Sequence, residues 1–421
     1  MARPQPSKQT ALFISQVYIP DPTSVGQHMQ DAAAELVKRG WRVKVYTSAR
    51  GYDDPGQRYP SKEICDGVQI VRLPLSSFGK GSIKVRLAAQ LLFLFQAMLR
   101  GVFTGGLSHI IVSTSPPMAG FAALFIRLFR RVPMTFWAMD INPDQAIAMG
   151  KARPESKLAR VFESMNRRLL KQSASVVALD RYMAEQLEKK TRVGDRMHVM
   201  PPWPLGDVLE SLPHERNPFR DEHGLADKFV VMYSGNISPA HPIDTVLQAA
   251  EKVADEPRIV FMFIGGKAAR EAIERFASER GLSNIQTLPY QPMDKIKYSL
   301  SAGDVHLVAM GDNMVGIVHP CKVYGAMAVK RPVLLVGPKQ CHVGEIIDAH
   351  GIGWAVPHGE VEAMVQTVRD MAGMSASDLH AMGERAYQAM EQTYNKAALC
   401  GAFCDVVEGK PANWPPGETT R

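Results

Sequence analysis

Phe229-Val230-Val231-Met232-Tyr233-Ser234-Gly235-Asn236-Ile237 is the stretch on which the fold turns. Five consecutive apolar or aromatic residues suit a strand buried on both faces, the usual state of a strand in a parallel sheet. Ser234 and Gly235 end the run. From Ile243 to Val253 the apolar residues return at helical spacing. Strand, small-residue turn, helix is the opening unit of a doubly wound α/β domain. Ser234, Gly235 and Asn236 admit two readings. Small residues let backbone amides reach a phosphate beside a helix start, and equally they serve a tight strand–helix turn.

The same alternation extends in both directions. Downstream the apolar runs are Ile259–Ile264, Ile285–Tyr290, Asp304–Val308, Pro332–Val336 and Gly353–Val356. Upstream they are Ala11–Tyr18, Val43–Thr47, Val68–Leu73, His109–Thr114, Pro133–Ala138, Ala174–Leu179 and Met197–Pro201. Helical patterns such as Gln27–Arg39 and Ala268–Ser278 lie between them. The 421 residues exceed what one hydrophobic core supports. The expected fold class is therefore α/β, with two doubly wound Rossmann-like domains facing across a cleft.

Composition marks the boundary between them. Residues 1–205 carry a net charge of +14 and residues 206–421 a net charge of −7. Pro201, Pro202, Pro204, Pro213 and Pro218 cluster where the sign changes. The division reads as a disordered N-terminus over 1–10, an N-terminal domain over 11–203, a linker over 204–218 and a C-terminal domain over 219–409. The last helix is expected to pack back on the N-terminal domain, and 410–421 reads as a disordered tail.

Several function classes recede. Apolar residues make up 46% and charged residues 22%, which excludes a disordered chain or a fibre. Five scattered cysteines form no CxxC, so a disulfide framework or a zinc ribbon is not expected and a reducing cytoplasm suits them. Cys400 and Cys404 share a helix face and read as packed there. A secretory signal is not expected from the polar first ten residues. Leu87–Leu99 is the most apolar stretch, shorter than a membrane span needs. Aromatic residues do not interleave with the basic ones, so nucleic acid is not an expected partner. No strand is followed by GxGxxG with an acidic residue about 20 further on, against a dinucleotide oxidoreductase.

A second stretch carries chemistry: Val315-Gly316-Ile317-Val318-His319-Pro320-Cys321-Lys322-Val323-Tyr324-Gly325-Ala326-Met327. A helix is expected to start near Pro320. Lys322 would lie in its first turn, where the helix dipole disfavours a cation. It is either a solvated lysine or the partner of an anion. His319 is either a site residue or an ordinary loop histidine.

Together these stretches resemble retaining glycosyltransferase family 4, of GT-B fold. The strand followed by Ser234-Gly235-Asn236 and then Ile243-Asp244 resembles the start of that family's C-terminal domain. Phe263-Ile264-Gly265-Gly266 and Leu288-Pro289-Tyr290 resemble its next loops. His319-Pro320-Cys321-Lys322 resembles the sugar-phosphate loop of the branch containing colanic-acid and O-antigen-type transferases. In the first half, Tyr18-Ile19-Pro20 with Val25-Gly26-Gln27-His28, Thr114-Ser115-Pro116-Pro117 and Ala138-Met139-Asp140-Ile141-Asn142-Pro143-Asp144 resemble the first strand–helix loop and the acceptor-side loops.

The resemblance implies transfer of a hexosyl group from a UDP- or GDP-linked sugar, with retention and without cofactor or metal. The implied acceptor is a glycan or a polyprenyl-diphosphate-linked sugar in surface or exopolysaccharide synthesis. Asp140, His319 and Lys322 are the implied catalytic group. Gly26, Ser234, Gly235, Asn236, Lys267, Tyr290, Val315, Gly316, Lys322 and Glu345 are the implied donor contacts. Asn236 and His241 stand where relatives carry an Arg and a Lys, and Asp140 stands where many carry a histidine. The usual paired glutamates are absent, since Gly325 holds the second position and no Glu lies between Gly311 and Gly344. Backbone amides near Met314–Ile317 are expected to replace them. Asp140 and Glu345 could also be plain cap residues. Relatives' acceptors are often lipid-linked. The Leu87–Leu99 helix with Arg86, Arg100, Arg127, Arg130 and Arg131 is therefore expected to lie against an anionic membrane on its cytoplasmic face, the alternative being a buried helix of the domain. Two alternatives share the architecture: a nucleotide-sugar 2-epimerase and a catalytically inactive assembly scaffold.

Overall fold

The computed structural model describes residues 9–21, 23–51, 56–76, 83–204 and 210–412, with the side chains at 83, 84 and 86 outside that set. The chain divides into unit 1, Met1–Leu205 with Lys396–Arg421, and unit 2, Gly206–Asn395. Of the expected disordered ends, 1–8 and 413–421 lie outside the described residues, as do 205–209 of the expected linker and the Arg86 side chain.

Unit 1 is built on eight strands. They are β1 (Thr10–Ile14), β2 (Arg42–Ser48), β3 (Lys62–Cys65), β4 (Val68–Leu73), β5 (Leu107–Ser113), β6 (Met134–Trp137), β7 (Ser175–Ala178) and β8 (Met197–Val199). Their order is β3-β4-β2-β1-β5-β6-β7-β8, and all pairs are parallel except β3 with β4. Continuous burial along β1, β6 and β7 reflects helices on both faces of the sheet. The apolar runs did not contain β3. It is an exposed edge strand, with Ile64 73% exposed. Its sequence signal is the Asp66-Gly67 pair, whose φ values of 49° and 79° fit a primed hairpin turn.

Unit 2 holds β9 (Phe229–Ser234), β10 (Ile259–Ile264), β11 (Ile285–Leu288), β12 (Val305–Ala309), β13 (Val333–Val336) and β14 (Gly353–Val356). The order β11-β10-β9-β12-β13-β14 is parallel throughout. Alternate residues feed two cores: Phe229, Val231, Tyr233, Phe261 and Phe263 on one face, and Val230, Met232, Met262 and Ile264 on the other. Each such side chain contributes about 1.5–3 kcal/mol on burial. The order of strands reverses between β9 and β12, the kind of point at which open α/β sheets place their ligands.

The boundaries depart from those expected. Much of the expected linker is fastened to unit 2. The Leu212 N–H donates to Ser301 Oγ at 3.1 Å, and Asn217 is fully buried, bonding the Tyr298 carbonyl at 2.9 Å. The helix Lys396–Val407 packs in unit 1 against the helix Ser24–Lys38, with Phe403 4.0 Å from Trp137 between ring centroids. Arg39 holds Asp405 at 2.6 Å and Glu408 at 3.2 Å. Among the described residues no helix is long and apolar enough to cross a membrane.

Candidate active site

In unit 2 the functional residues gather at the reversal point of the sheet. Gly235 follows β9 with φ of +137°, a conformation open to glycine. A Cβ there would sit 2.5 Å from Lys322 Cε, so the missing side chain lets the lysine stem lie against the backbone. Lys322 opens the helix Lys322–Ala328, beyond β12. Its ammonium lies 4.9 Å from the centre of the Tyr233 ring. No carboxylate pairs with it among the described residues, so a half-buried cation is left facing the loop after β9.

His241 stands beside it in that loop. Its Nδ1 bonds Ser238 Oγ at 3.1 Å. Burial, reinforced by the Lys322 charge, holds the imidazole down at about 3, so the ring is neutral at pH 7. The loop is fixed to the next one by Gly311 N–H donating to the Ala240 carbonyl at 3.0 Å. From Gly311 to Val318 the chain winds tightly. Met314 N–H bonds Gly311 O at 2.9 Å, and Ile317 N–H bonds Met314 O at 2.9 Å. Between them the N–H groups of Val315 and Gly316 make no hydrogen bond within the described chain, and Gly316 is buried with φ of +71°. An unspent buried N–H costs free energy unless something accepts from it.

His319 lies within this wall. Its ring is 7% exposed and its Nε2 is 3.0 Å from the Tyr324 hydroxyl, which is 2.6 Å from His342 Nε2. One hydroxyl proton cannot serve both rings, so at least one imidazole donates to the Tyr324 oxygen. This chain ties the loop before Lys322 to the helix His342–His350. Glu345 is half-buried in the first turn of that helix, beyond β13.

Lys267 does not join the cluster. It opens the helix Lys267–Glu279, 81% exposed, with Glu271 at 3.7 Å. Tyr290 covers the neighbouring loop. Its ring is 3.7 Å from where a Cβ on Gly266 would sit, and Gly265 lies against the Gly235 carbonyl.

Unit 1 has a reversal point of its own, between β1 and β5. The loops beyond these strands are bonded to each other, Gln16 N–H to Ser115 O at 2.8 Å. Asp140, beyond β6, donates its backbone N–H to Thr114 Oγ1 at 3.2 Å. Its carboxylate finds no hydrogen-bond donor among the described residues. It borders a cavity of about 10 Å³ lined also by Thr114, Asn142, Met165 and Asn166. Burial pushes this carboxyl up to about 6 from an ordinary 3.8. Asp144, the other candidate in this loop, is taken up by Lys190 at 2.7 Å. Gly26 is buried in the helix Ser24–Lys38, where a Cβ would meet Tyr18 Cα at 2.9 Å. Its small size serves that close packing.

His241 and the Tyr324–His342 bond were not among the expected site residues. In the sequence His241 was named only as standing where relatives carry a Lys, and the fold sets it beside Lys322.

Comparison with known proteins agrees with this geometry. The profile of the "Glycosyl transferase 4-like domain" matches residues 23–203, and that of "Glycosyl transferases group 1" matches residues 215–389. The chain is 25% identical over 414 residues to the putative colanic acid biosynthesis glycosyl transferase WcaI of Escherichia coli, covering 93% of this chain and 98% of that one. It is 24% identical over 268 residues to the probable glycosyltransferase WbjE of Pseudomonas aeruginosa, covering 64% of this chain and 66% of WbjE. The structure of Anabaena HepE in complex with UDP-glucose superposes with a TM-score of 0.69 at 13% identity, over 95% of this chain and 99% of HepE. The two reversal-point sites, the two matched domains and the full-length likeness to WcaI converge, and the chain belongs to the family 4 glycosyltransferases of GT-B fold.

Proposed function

We propose that unit 2 binds the diphosphate of a UDP- or GDP-linked sugar and that the sugar passes, with retention and without metal, to a glycan or polyprenyl-diphosphate-linked acceptor in exopolysaccharide synthesis. The observation that carries this reading is Lys322, a cation without a carboxylate partner beside Gly235 and Tyr233. The likeness to WcaI, a putative colanic acid transferase, supports the exopolysaccharide pathway, and HepE, which binds UDP-glucose, supports the donor class.

As the sugar leaves, negative charge grows on the diphosphate. Lys322 and the N–H groups of Asn236, Val315 and Gly316 are the groups available to meet it, and donors fixed in place beforehand are the effective kind. The leaving phosphate oxygen can accept the proton of the attacking hydroxyl, so no separate base is needed. Asp140 then binds an acceptor or donor hydroxyl. The Tyr324 network holds the loop that presents Lys322.

Thermal shift against UDP, GDP, ADP, NAD and NADP, with and without EDTA, tests the donor class. A ligand at 100 times its dissociation constant adds about 2.7 kcal/mol. One nucleoside diphosphate is expected to stabilise the protein regardless of EDTA, and transfer from its sugar should follow. A response to NAD or NADP alone would overturn the reading, and silence from all five would favour a non-catalytic scaffold. Lys322→Met is expected to weaken nucleotide binding about 10- to 150-fold, the loss of one charge-assisted contact. Folding stability should change by about 1 kcal/mol or less, the worth of an exposed cation–π contact.

A membrane partner belongs to the same proposal. Along the helices Ile83–Val102 and Ala119–Arg130, Leu91, Phe95, Leu128 and Phe129 are 52%, 59%, 70% and 59% exposed. Arg100 and Arg131 flank this apolar face, while Arg130 is spent on the Val102 and Thr104 carbonyls. An apolar face edged by free cations fits an anionic bilayer surface, here the cytoplasmic face of the membrane. Flotation with anionic vesicles at low salt should carry the protein, and Phe95→Glu should release it. Equal flotation of both would remove this face from the contact.

A further inference from the structure

The helix Lys157–Gln172 carries different chemistry on its two sides. On the inner side Met165, Asn166 and Leu169 wall the cavity beside Asp140. The outer side carries the cations Lys157, Arg160, Arg167, Arg168 and Lys171 against a single acid, Glu163. Residues 160, 164, 167, 168 and 171 recur at helical spacing and form one stripe. With Glu163 they line an open groove of about 410 Å³. Glu163 does not neutralise the stripe, because it is held by Lys190 at 2.6 Å as well as by Arg167 at 3.0 Å. Lys157, Arg160, Arg168 and Lys171 are exposed, and none pairs with a carboxylate among the described residues.

The surroundings of the stripe identify its partner. Leu158 and Val161 are 60% and 51% exposed, on the flank that also holds Met165 and Gln172. That flank meets the helix Ala119–Arg130. A Cβ on Gly120 would lie 3.4 Å from Met165 Sδ, and Arg127 Nη1 donates to Gln172 Oε1 at 3.3 Å. The helix Ala119–Arg130 packs in turn on Ile83–Val102, with Ile126 against Gly101. The three helices form one layer of unit 1, apolar on the outside of two and cationic on the outside of the third. Exposed aliphatic side chains beside unpaired arginines match a bilayer surface, where acyl chains and phosphates lie at adjoining depths. Guanidinium groups grip phosphate oxygens in pairs. The stripe holds no aromatic side chain on which a base could stack, which disfavours a nucleic acid.

We propose that the outer face of the helix Lys157–Gln172 docks on the anionic phospholipids of a bilayer, with Arg160, Arg168 and Lys171 seated on headgroup phosphates. This rests on the membrane reading given above and deepens it: the contact is electrostatic where that of the neighbouring helices is apolar. Docking there brings the headgroups within one helix diameter, about 10–12 Å, of the side chains that wall the Asp140 cavity.

The test is partition of the full-length protein into phosphatidylcholine vesicles with and without phosphatidylglycerol, at low and at physiological salt. Each cation near an anionic surface is worth about 1 kcal/mol, or about fivefold in partition. The double variant Arg160→Gln with Arg168→Gln should therefore bind phosphatidylglycerol vesicles about 25-fold more weakly than the wild type at low salt. The gap should narrow as salt rises and be absent on phosphatidylcholine alone. Arg160→Lys with Arg168→Lys should keep most of the binding, and matched melting temperatures check that the variants fold. Equal partition of the wild type and the glutamine variant would overturn the inference, while release by Phe95→Glu in the same assay would leave the apolar face standing. Loss in the glutamine variant with none in Phe95→Glu would do the reverse. A short DNA duplex that bound as tightly as the anionic vesicles and displaced them would make the stripe a general polyanion site and overturn the lipid assignment. Failure of the wild type to bind either vesicle would sink both membrane contacts.

Discussion

Asp140→Asn should make the protein more stable and less active, and pH separates the two effects. The carboxylate sits beyond β6 with no hydrogen-bond donor among the described residues, and burial alone raises it to about 6 from 3.8. The sign follows from linkage. Between those two values the folded chain binds more proton than the unfolded chain, so stability falls as pH rises through that window. Above about 6 both forms are ionised, and the folded state carries the whole penalty of a poorly solvated charge. The shift corresponds to an upper bound of about 3 kcal/mol, and on the order of 2 kcal/mol once partial exposure is allowed for. Asparagine has the same shape and no charge. At pH 7.5 the variant should melt about 4–8 °C higher in the transition of unit 1. The gain should shrink below pH 6 and vanish near pH 4. Nucleotide binding should stay at the wild-type level, because Asp140 lies in unit 1 and the diphosphate contacts lie in unit 2. Transfer should fall about a hundredfold or more, as when one fixed polar contact to the transition state is lost. Scanning calorimetry at pH 7.5 and 4.5, with product assays from the matching nucleotide sugar, reads both. A melting gain independent of pH would refute the desolvation argument. Wild-type turnover would remove Asp140 from the site.

Gly235→Ala places a Cβ 2.5 Å from Lys322 Cε at a φ of +137°. It should cost about 1–3 kcal/mol in the stability of unit 2 and about tenfold or more in nucleotide affinity, read by denaturant melts and calorimetry. Tyr324→Phe leaves the Nε2 atoms of His319 and His342 without their shared hydroxyl. A loss of about 1–3 kcal/mol is expected in urea unfolding, since a buried polar group is left unmet. Nucleotide binding should weaken less than in Lys322→Met, because Tyr324 positions the loop without touching the ligand. A larger weakening would place the phenol itself in the donor site.

The sequence alone determined the layered architecture. Continuous apolar runs such as Phe229–Ser234 and Ile259–Ile264 need cover on both faces, and the alternating helices supply it, so two parallel sheets follow from local pattern. It also marked Ser234-Gly235-Asn236 and His319-Pro320-Cys321-Lys322 as stretches with chemistry. The short exposed strand β3 escaped because an edge strand owes its existence to pairing with β4 rather than to an apolar run. Tertiary structure decided everything that depends on which loops become neighbours. The order β9-β12 brings Gly235 and Lys322 together, while the exposed helix start sends Lys267 to Glu271. His241 became part of the site by its place beside Lys322, His319 turned inward to Tyr324, and Asp144 was claimed by Lys190. The return of Lys396–Val407 to unit 1 depends on Phe403 finding Trp137. A strand or a turn is written in a few adjacent residues. Charge states and partners arise from contacts between segments far apart in the chain, and sheet order fixes which segments meet.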